Sequence, residues 1–191
     1  VKRAIESVKD HVRNIYAIDG KFEFYESSDL LSTPDVRNYL RSIDNVVLVD
    51  VPNRKENEKR QTYLDYCEKN LADWLLILDA DEYITDETNW DSVYADLLKN
   101  TTEAKSPEIF GVTIKPYGDS KKEFGYPRLW RAPYLIRYLK THNFWEFKTT
   151  GKIYRSSITW PAIKGIFMKG SDELRDKKYL DKSYDYQMKL M

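Results

Sequence analysis

An α/β fold with a mainly parallel sheet and helices on both faces is the fold class the sequence predicts. Strand-like apolar runs begin near residues 14, 46 and 74, with helical patterns between them. That interval of about thirty residues is the length of a strand–helix–strand unit. Two of the runs, Val46–Val51 and Trp74–Leu78, are nearly continuous in apolar residues, as strands buried on both faces are. All three close at or near a carboxylate: Asp19, Asp50 and Asp79. Ligands of parallel sheets gather at such C-terminal strand ends.

In chain order, Val1, Ile5, Val8 and Val12 are spaced as one face of a helix. Asn14–Asp19 is a short strand stopped by Asp19-Gly20. Ser32-Thr33-Pro34 supplies a cap and a proline at the first helical position, so a helix runs to about Arg41. After the Val46–Val51 strand, Asn53 is placed to cap a long polar helix to about Asn70, with Leu64, Cys67 and Leu71 as its inner face. Trp74–Leu78 is the third strand. A helix over Thr88–Lys99 turns Trp90, Val93, Leu97 and Leu98 inward. Beyond residue 100 the alternation breaks: Ile109–Pro116 and Pro127–Ala132 are strands around a polar turn, and Ser171 opens a charged C-terminal helix. No linker or repeat divides the chain. Residues 1–191 are expected to form one domain, with 1–105 the ligand-binding part and 106–191 an irregular acceptor-side lobe.

Composition narrows the function classes. A chain of 191 residues buries roughly 70% of its unfolded surface and needs no disulfide staple. Thirty-one basic and thirty-one acidic side chains cancel, which removes the basic excess of a nucleic-acid binder. A single cysteine, Cys67, excludes an intrachain disulfide and a four-cysteine zinc site, and suits a reducing compartment such as the cytoplasm. No apolar run approaches the ~20 residues that span a bilayer.

The sharpest signal is Leu75-Leu76-Ile77-Leu78-Asp79-Ala80-Asp81-Glu82. Two carboxylates two residues apart, where a buried strand gives way to a turn, can meet one divalent cation. Hard carboxylate oxygens suit Mg²⁺ or Mn²⁺, which keep waters and bind substrate phosphates. A metal there would neutralise a diphosphate leaving group. Most D-x-D pairs in loops are merely soluble acids; the apolar strand directly before this one favours a site. Ile84 stands where a calcium loop needs its sixth-position glycine.

Ala4-Ile5-Glu6-Ser7-Val8, Ile18-Asp19-Gly20, Lys59-Arg60 and Asp73 through Glu82 occur in the order seen in GT-A glycosyltransferases. The chain most resembles the inverting family 2 enzymes over residues 1 to 90. The resemblance implies a GT-A, Rossmann-like fold. It also implies a nucleotide-diphosphate sugar donor, a bound Mn²⁺ or Mg²⁺, and sugar transfer to the hydroxyl of a glycan or protein-linked acceptor. It makes Asp79 and Asp81 the D-x-D pair with Asp81 the more direct metal ligand, Asp19 the contact to the nucleotide base, and Arg60 a basic residue near the donor. Its size is similar to that of glycosyltransferases from crenarchaeal viruses, which implies a host cytoplasm. Two features depart from the family. It opens on a strand where this sequence opens on a helix. It also often has a His-Glu pair after an Arg-Leu-Phe-Arg strand, where this chain has Arg128-Leu129-Trp130-Arg131 and then His142-Asn143-Phe144-Trp145-Glu146.

The remaining candidates follow from chemistry. His142 can complete a divalent-metal site; His11, in a charged helix, is expected to be surface or capping. An inverting displacement needs a carboxylate to take the acceptor proton. Glu146 is the first candidate and Asp172, at a helix start, the second; Asp119 is explained by its turn. Arg54, Lys55 and Lys59 are expected on a solvated helix face. Trp130, Tyr134, Trp145 and Trp160 have the rings to stack on a sugar, but each is individually more expected in the core. Two other readings compete: a non-catalytic sugar-nucleotide or carbohydrate binder, and a D-x-D phosphatase of the haloacid dehalogenase type. The phosphatase pattern wants Thr or Val where Tyr83 stands, and wants its motif on the first strand.

Overall fold

Ten strands and four α-helices occur among the residues that the computed structural model describes, namely 1–103, 108–115, 124–139, 144–155 and 162–170. The first half keeps the expected alternation. Helix α1 (Lys2–Glu6) leads to β1 (Ile15–Asp19), α2 (Pro34–Arg41), β2 (Val46–Asp50), α3 (Glu56–Lys69) and β3 (Trp74–Leu76). Then follow β4 (Glu82–Ile84), α4 (Trp90–Glu103), β5 (Glu108–Lys115) and β6 (Phe124–Arg131). A 3-10 turn at Pro133–Leu135 precedes β7 (Ile136–Tyr138), β8 (Phe144–Phe147), β9 (Ile153–Arg155) and β10 (Ala162–Gly170).

The strand pairing overturns the expected Rossmann-like, mainly parallel sheet of a GT-A fold. Of the three strands expected to form the parallel sheet, β1 and β2 pair, register Ile15 to Val46 through Asp19 to Asp50, and they stand as a two-stranded sheet. Strand β3 leaves that series. It lies antiparallel to β6 in a five-stranded sheet ordered β3-β6-β5-β10-β4, whose only parallel neighbours are β5 and β10. Strands β7, β8 and β9 form a third, antiparallel sheet. The thirty-residue spacing correctly marks strand–helix–strand lengths, but spacing does not choose a partner. The edge of β3 is taken by Leu129–Arg131, a segment arriving much later in the chain.

Alternation within the five-stranded sheet explains why it is buried on both faces. Phe110 and Leu129 point one way, with Val8, Ile84 and Val93 around them; Trp90 and Leu97 of α4 pack there. Ile109 and Trp130 point the other way, into a second cluster with Leu64 of α3 and Ile136, Tyr138, Trp145 and Phe147 of the small sheet. Trp130 and Trp145, considered above for sugar stacking, are thus core, with rings edge to face at 5.4 Å.

Helix α3 starts later than expected. Asn53 has a left-handed φ of 55° and precedes the cap, and Glu58 instead accepts the Lys55 N–H at 3.3 Å. Its inner face holds Leu64 and Cys67, but Leu71 is 75% exposed, because the helix ends at Lys69 and Leu71 itself turns left-handed. Leu98 likewise faces solvent, one residue around the helix from inward-facing Leu97. Among the described residues, no helix is long and apolar enough to cross a membrane.

Candidate functional site

Asp79 is placed where β3 gives way to the turn before β4. That turn is closed twice by Glu82: its backbone N–H donates to the Asp79 carbonyl at 2.9 Å, and its Oε2 accepts the Asp79 N–H at 2.9 Å. The Asp79 carboxylate lies between two guanidinium groups. Arg60, from the second turn of α3, donates to Oδ1 at 3.1 Å, and Arg128, from β6, donates to Oδ2 at 2.6 Å. Arg128 also reaches Glu82 Oε1 at 2.6 Å. Beyond Arg60 the network continues through Tyr63 to Tyr138, whose hydroxyls are hydrogen-bonded. Asp81, two residues from Asp79, is half-buried at the same turn.

The electrostatics are those of an ion-pair cluster in which the two arginines and Glu82 are largely covered while the Asp79 side chain is partly open. Burial opposes the charges on Arg60 and Arg128, yet Asp79, with Glu56 beside Arg60 and Glu82 beside Arg128, outweighs it and both stay firmly protonated. Burial pushes the Glu82 carboxyl up, against the pull of Arg128. Burial also raises the Tyr63 and Tyr138 hydroxyls, so both are neutral donors at neutral pH. Removing one partner from such a cluster leaves a buried charge uncompensated, which is costlier than the cluster itself is stabilising.

The second strand end reaches the same helix. Asp19, 8% exposed, accepts from the Ser32 N–H at 3.1 Å and the Ser32 hydroxyl at 2.7 Å, and pairs with Arg37. Arg37 also grips Asp50, the residue across from Asp19, through two hydrogen bonds of 2.8 and 2.9 Å. Asp19 is therefore committed to Ser32 and Arg37. Next to it, Gly20 accepts a hydrogen bond from the Lys59 ammonium, and the Phe22 ring lies 4.3 Å from that nitrogen. Lys59, expected to be solvated, is 8% exposed, and burial lowers its pKa to about 8. Lys59 and Arg60 are consecutive in α3, so one helical turn holds the ends of both β1 and β3.

Glu146 goes elsewhere. It lies on β8 between inward-facing Trp145 and Phe147, so its side chain takes the outer face, where Arg137 donates to it at 2.6 Å. Tyr138, which reaches Tyr63 and the Arg60 network, is on the inner face. The structure does not bring Glu146 to Asp79. His142, Asp172, Asp119 and Trp160 lie outside the described residues. His11 stacks on Trp90 at 4.3 Å, on the opposite face of the large sheet from α3.

Arg128, Glu82 and Tyr138 are the members of the cluster that sequence reasoning did not single out. Glu82 carried a signal, as the third acid of Asp79-Ala80-Asp81-Glu82. Arg128 carried one only as the first residue of Arg128-Leu129-Trp130-Arg131, set beside the Arg-Leu-Phe-Arg strand of the resembled family.

No model of a known protein family matches the chain, and no curated protein matches it. The chemistry of the donor set still allows a test of the expected ion. Mg²⁺ and Mn²⁺ are commonly held by one or two carboxylates together with substrate phosphates, and a carboxylate offers about four lone-pair sites. Two guanidinium contacts therefore do not bar Asp79 from an ion, and Asp79 with Asp81 fits one that is shared with a phosphate-bearing substrate. Among the described residues, no three His, Cys, Asp or Glu side chains gather to hold an ion unaided.

Proposed function

We propose that this chain is a metal-dependent glycosyltransferase that moves a sugar from a nucleotide-diphosphate sugar to an acceptor hydroxyl, with inversion. The observation that carries the reading is the Asp79-Ala80-Asp81 turn after β3, which is a half-buried edge strand and not the fully buried one expected, with Asp79 fixed by Arg60 and Arg128. When bound there, Mn²⁺ or Mg²⁺ supplies the charge that lets a diphosphate approach two carboxylates and depart. Asp79 and Asp81 are the residues that would hold it. Arg60 orients Asp79 from α3, and the same helical turn fixes the loop after β1, so that donor-side residues from two strands share one support. His142 is proposed as an additional ligand.

The test is a panel of sugar nucleotides, assayed for binding and for transfer or hydrolysis with Mn²⁺, with Mg²⁺ and with a chelator. Metal-dependent binding with turnover is the expected result, and Asp81→Ala should weaken donor binding at least tenfold. Equal donor affinity with and without chelator would overturn the metal role. Metal-dependent binding without turnover would select the non-catalytic binder instead.

The base is proposed among Glu146 and Asp172. Removing it cleanly should lower kcat by about 10²–10⁴-fold while donor binding stays nearly intact. Glu146→Gln and Asp172→Asn, compared side by side for kcat and donor affinity, separate the two. Wild-type turnover in both variants would remove both from the role.

A further inference from the structure

We propose that Glu82 is the positioning residue of the Asp79-Ala80-Asp81 turn, and that it does so by dividing Arg128 between two carboxylates and thereby keeping Asp79 available to a cation. This rests on the reading of that turn as a divalent-metal site. Glu82 is 6% exposed and uses both oxygens: Oε2 fixes the backbone of Asp79 at 2.9 Å, and Oε1 takes Arg128 at 2.6 Å. The same Arg128 nitrogen reaches Asp79 Oδ2 at 2.6 Å.

A guanidinium prefers a carboxylate it can grip with two parallel hydrogen bonds. Without a competing acid, Arg128 is free to turn both its nitrogens onto Asp79. That would occupy the carboxylate and set a full positive charge against any incoming cation. With Glu82 present, one Arg128 nitrogen is shared between the two carboxylates and its positive charge is balanced in part by Glu82. Glu82 also accepts the Asp79 N–H, so the residue that balances the arginine is the one that fixes the turn.

The experiment is Mn²⁺ binding to the full chain at one fixed concentration of inorganic diphosphate, followed by electron paramagnetic resonance of the free ion against protein-free samples, with thermal melting of each variant as the check on folding. Glu82→Gln keeps an amide oxygen for the Asp79 N–H but loses the charge; it should bind Mn²⁺ about tenfold more weakly than wild type. Arg128→Gln in the same background restores the charge balance, so Glu82→Gln/Arg128→Gln should return to within about threefold of wild type. A purely structural role predicts that Mn²⁺ affinity follows the melting temperature from variant to variant, whereas the proposal predicts weak binding by Glu82→Gln even at temperatures where it is fully folded. The double variant leaves no buried charge of this pair uncompensated, so it keeps the comparison open even where Glu82→Gln alone melts too low to use.

Mn²⁺ binding that is equal in wild type and Glu82→Gln, or that stays weak in the double variant, overturns the proposal, as does wild type that binds no Mn²⁺. A sugar-nucleotide panel that shows no transfer while the Mn²⁺ pattern holds would remove the glycosyltransferase reading and leave this inference standing.

Discussion

Lys59 shows what a single buried charge costs this protein. Its ammonium is enclosed by Gly20 and Phe22, and burial brings its pKa to about 8 from an ordinary 10.5. Between those values the unfolded chain binds more protons than the folded one, so this group makes stability rise with pH across pH 8 to 10.5. Below pH 8 its full cost is present. The stability of Lys59→Met relative to wild type should therefore fall from pH 7 to pH 10.5, by about 1–3 kcal/mol. Urea denaturation of both proteins at the two pH values measures it, and a difference that does not move with pH would count against the account. Cys67 marks the other extreme. It is 2% exposed and burial pushes its thiol up to about 12, so it packs as a small apolar side chain without reactivity. The sequence showed the carboxylates of the site through their place after an apolar strand. It did not show their partners, because Arg128 meets Asp79 and Glu82 across more than forty intervening residues.

Helix α3 is the element on which the site depends. Its inner side presents Leu64 to the Trp130–Tyr138 cluster, while Lys59 and Arg60 hold the ends of β1 and β3. Loosening that packing should loosen the site with it. Leu64→Ala, at a position 1% exposed, is expected to cost about 2–5 kcal/mol. Leu71→Ala, just past the helix end and 75% exposed, should stay within about 0.5 kcal/mol. Denaturant melts of the two variants decide between this arrangement and an inner face that runs on through Leu71. The elements legible in advance were α1, β1, α2, β2, α3, β3, α4, β5 and β6; β10, although nine residues long, was not. Strands β4, β7 and β9 have three residues each and β8 has four. Runs that short do not display alternation, and their character comes from the strand beside them.

At the scale of the whole molecule, the sheet that carries Asp79 is assembled from both halves of the sequence. β3 has its partner in β6, and β4 has its partner in β10. The boundary expected near residue 105, between parts of one domain, is crossed by both pairings. Residues 1–105 alone would leave β3 without β6, and Leu64 and Ile77 without Trp130, Trp145 and Phe147. That fragment should show no cooperative melt, by circular dichroism, under conditions where the full chain melts as one transition. The same pairing has a meaning in time. Synthesis runs at ~5–20 residues per second, and Leu129, the partner of Leu76, is made roughly fifty residues after it. For some seconds on each ribosome, the stretch Trp74–Leu78 is a finished apolar strand with no neighbour to pair with. In every round of translation, that open edge is where a nascent chain is most exposed to pairing with another copy of itself.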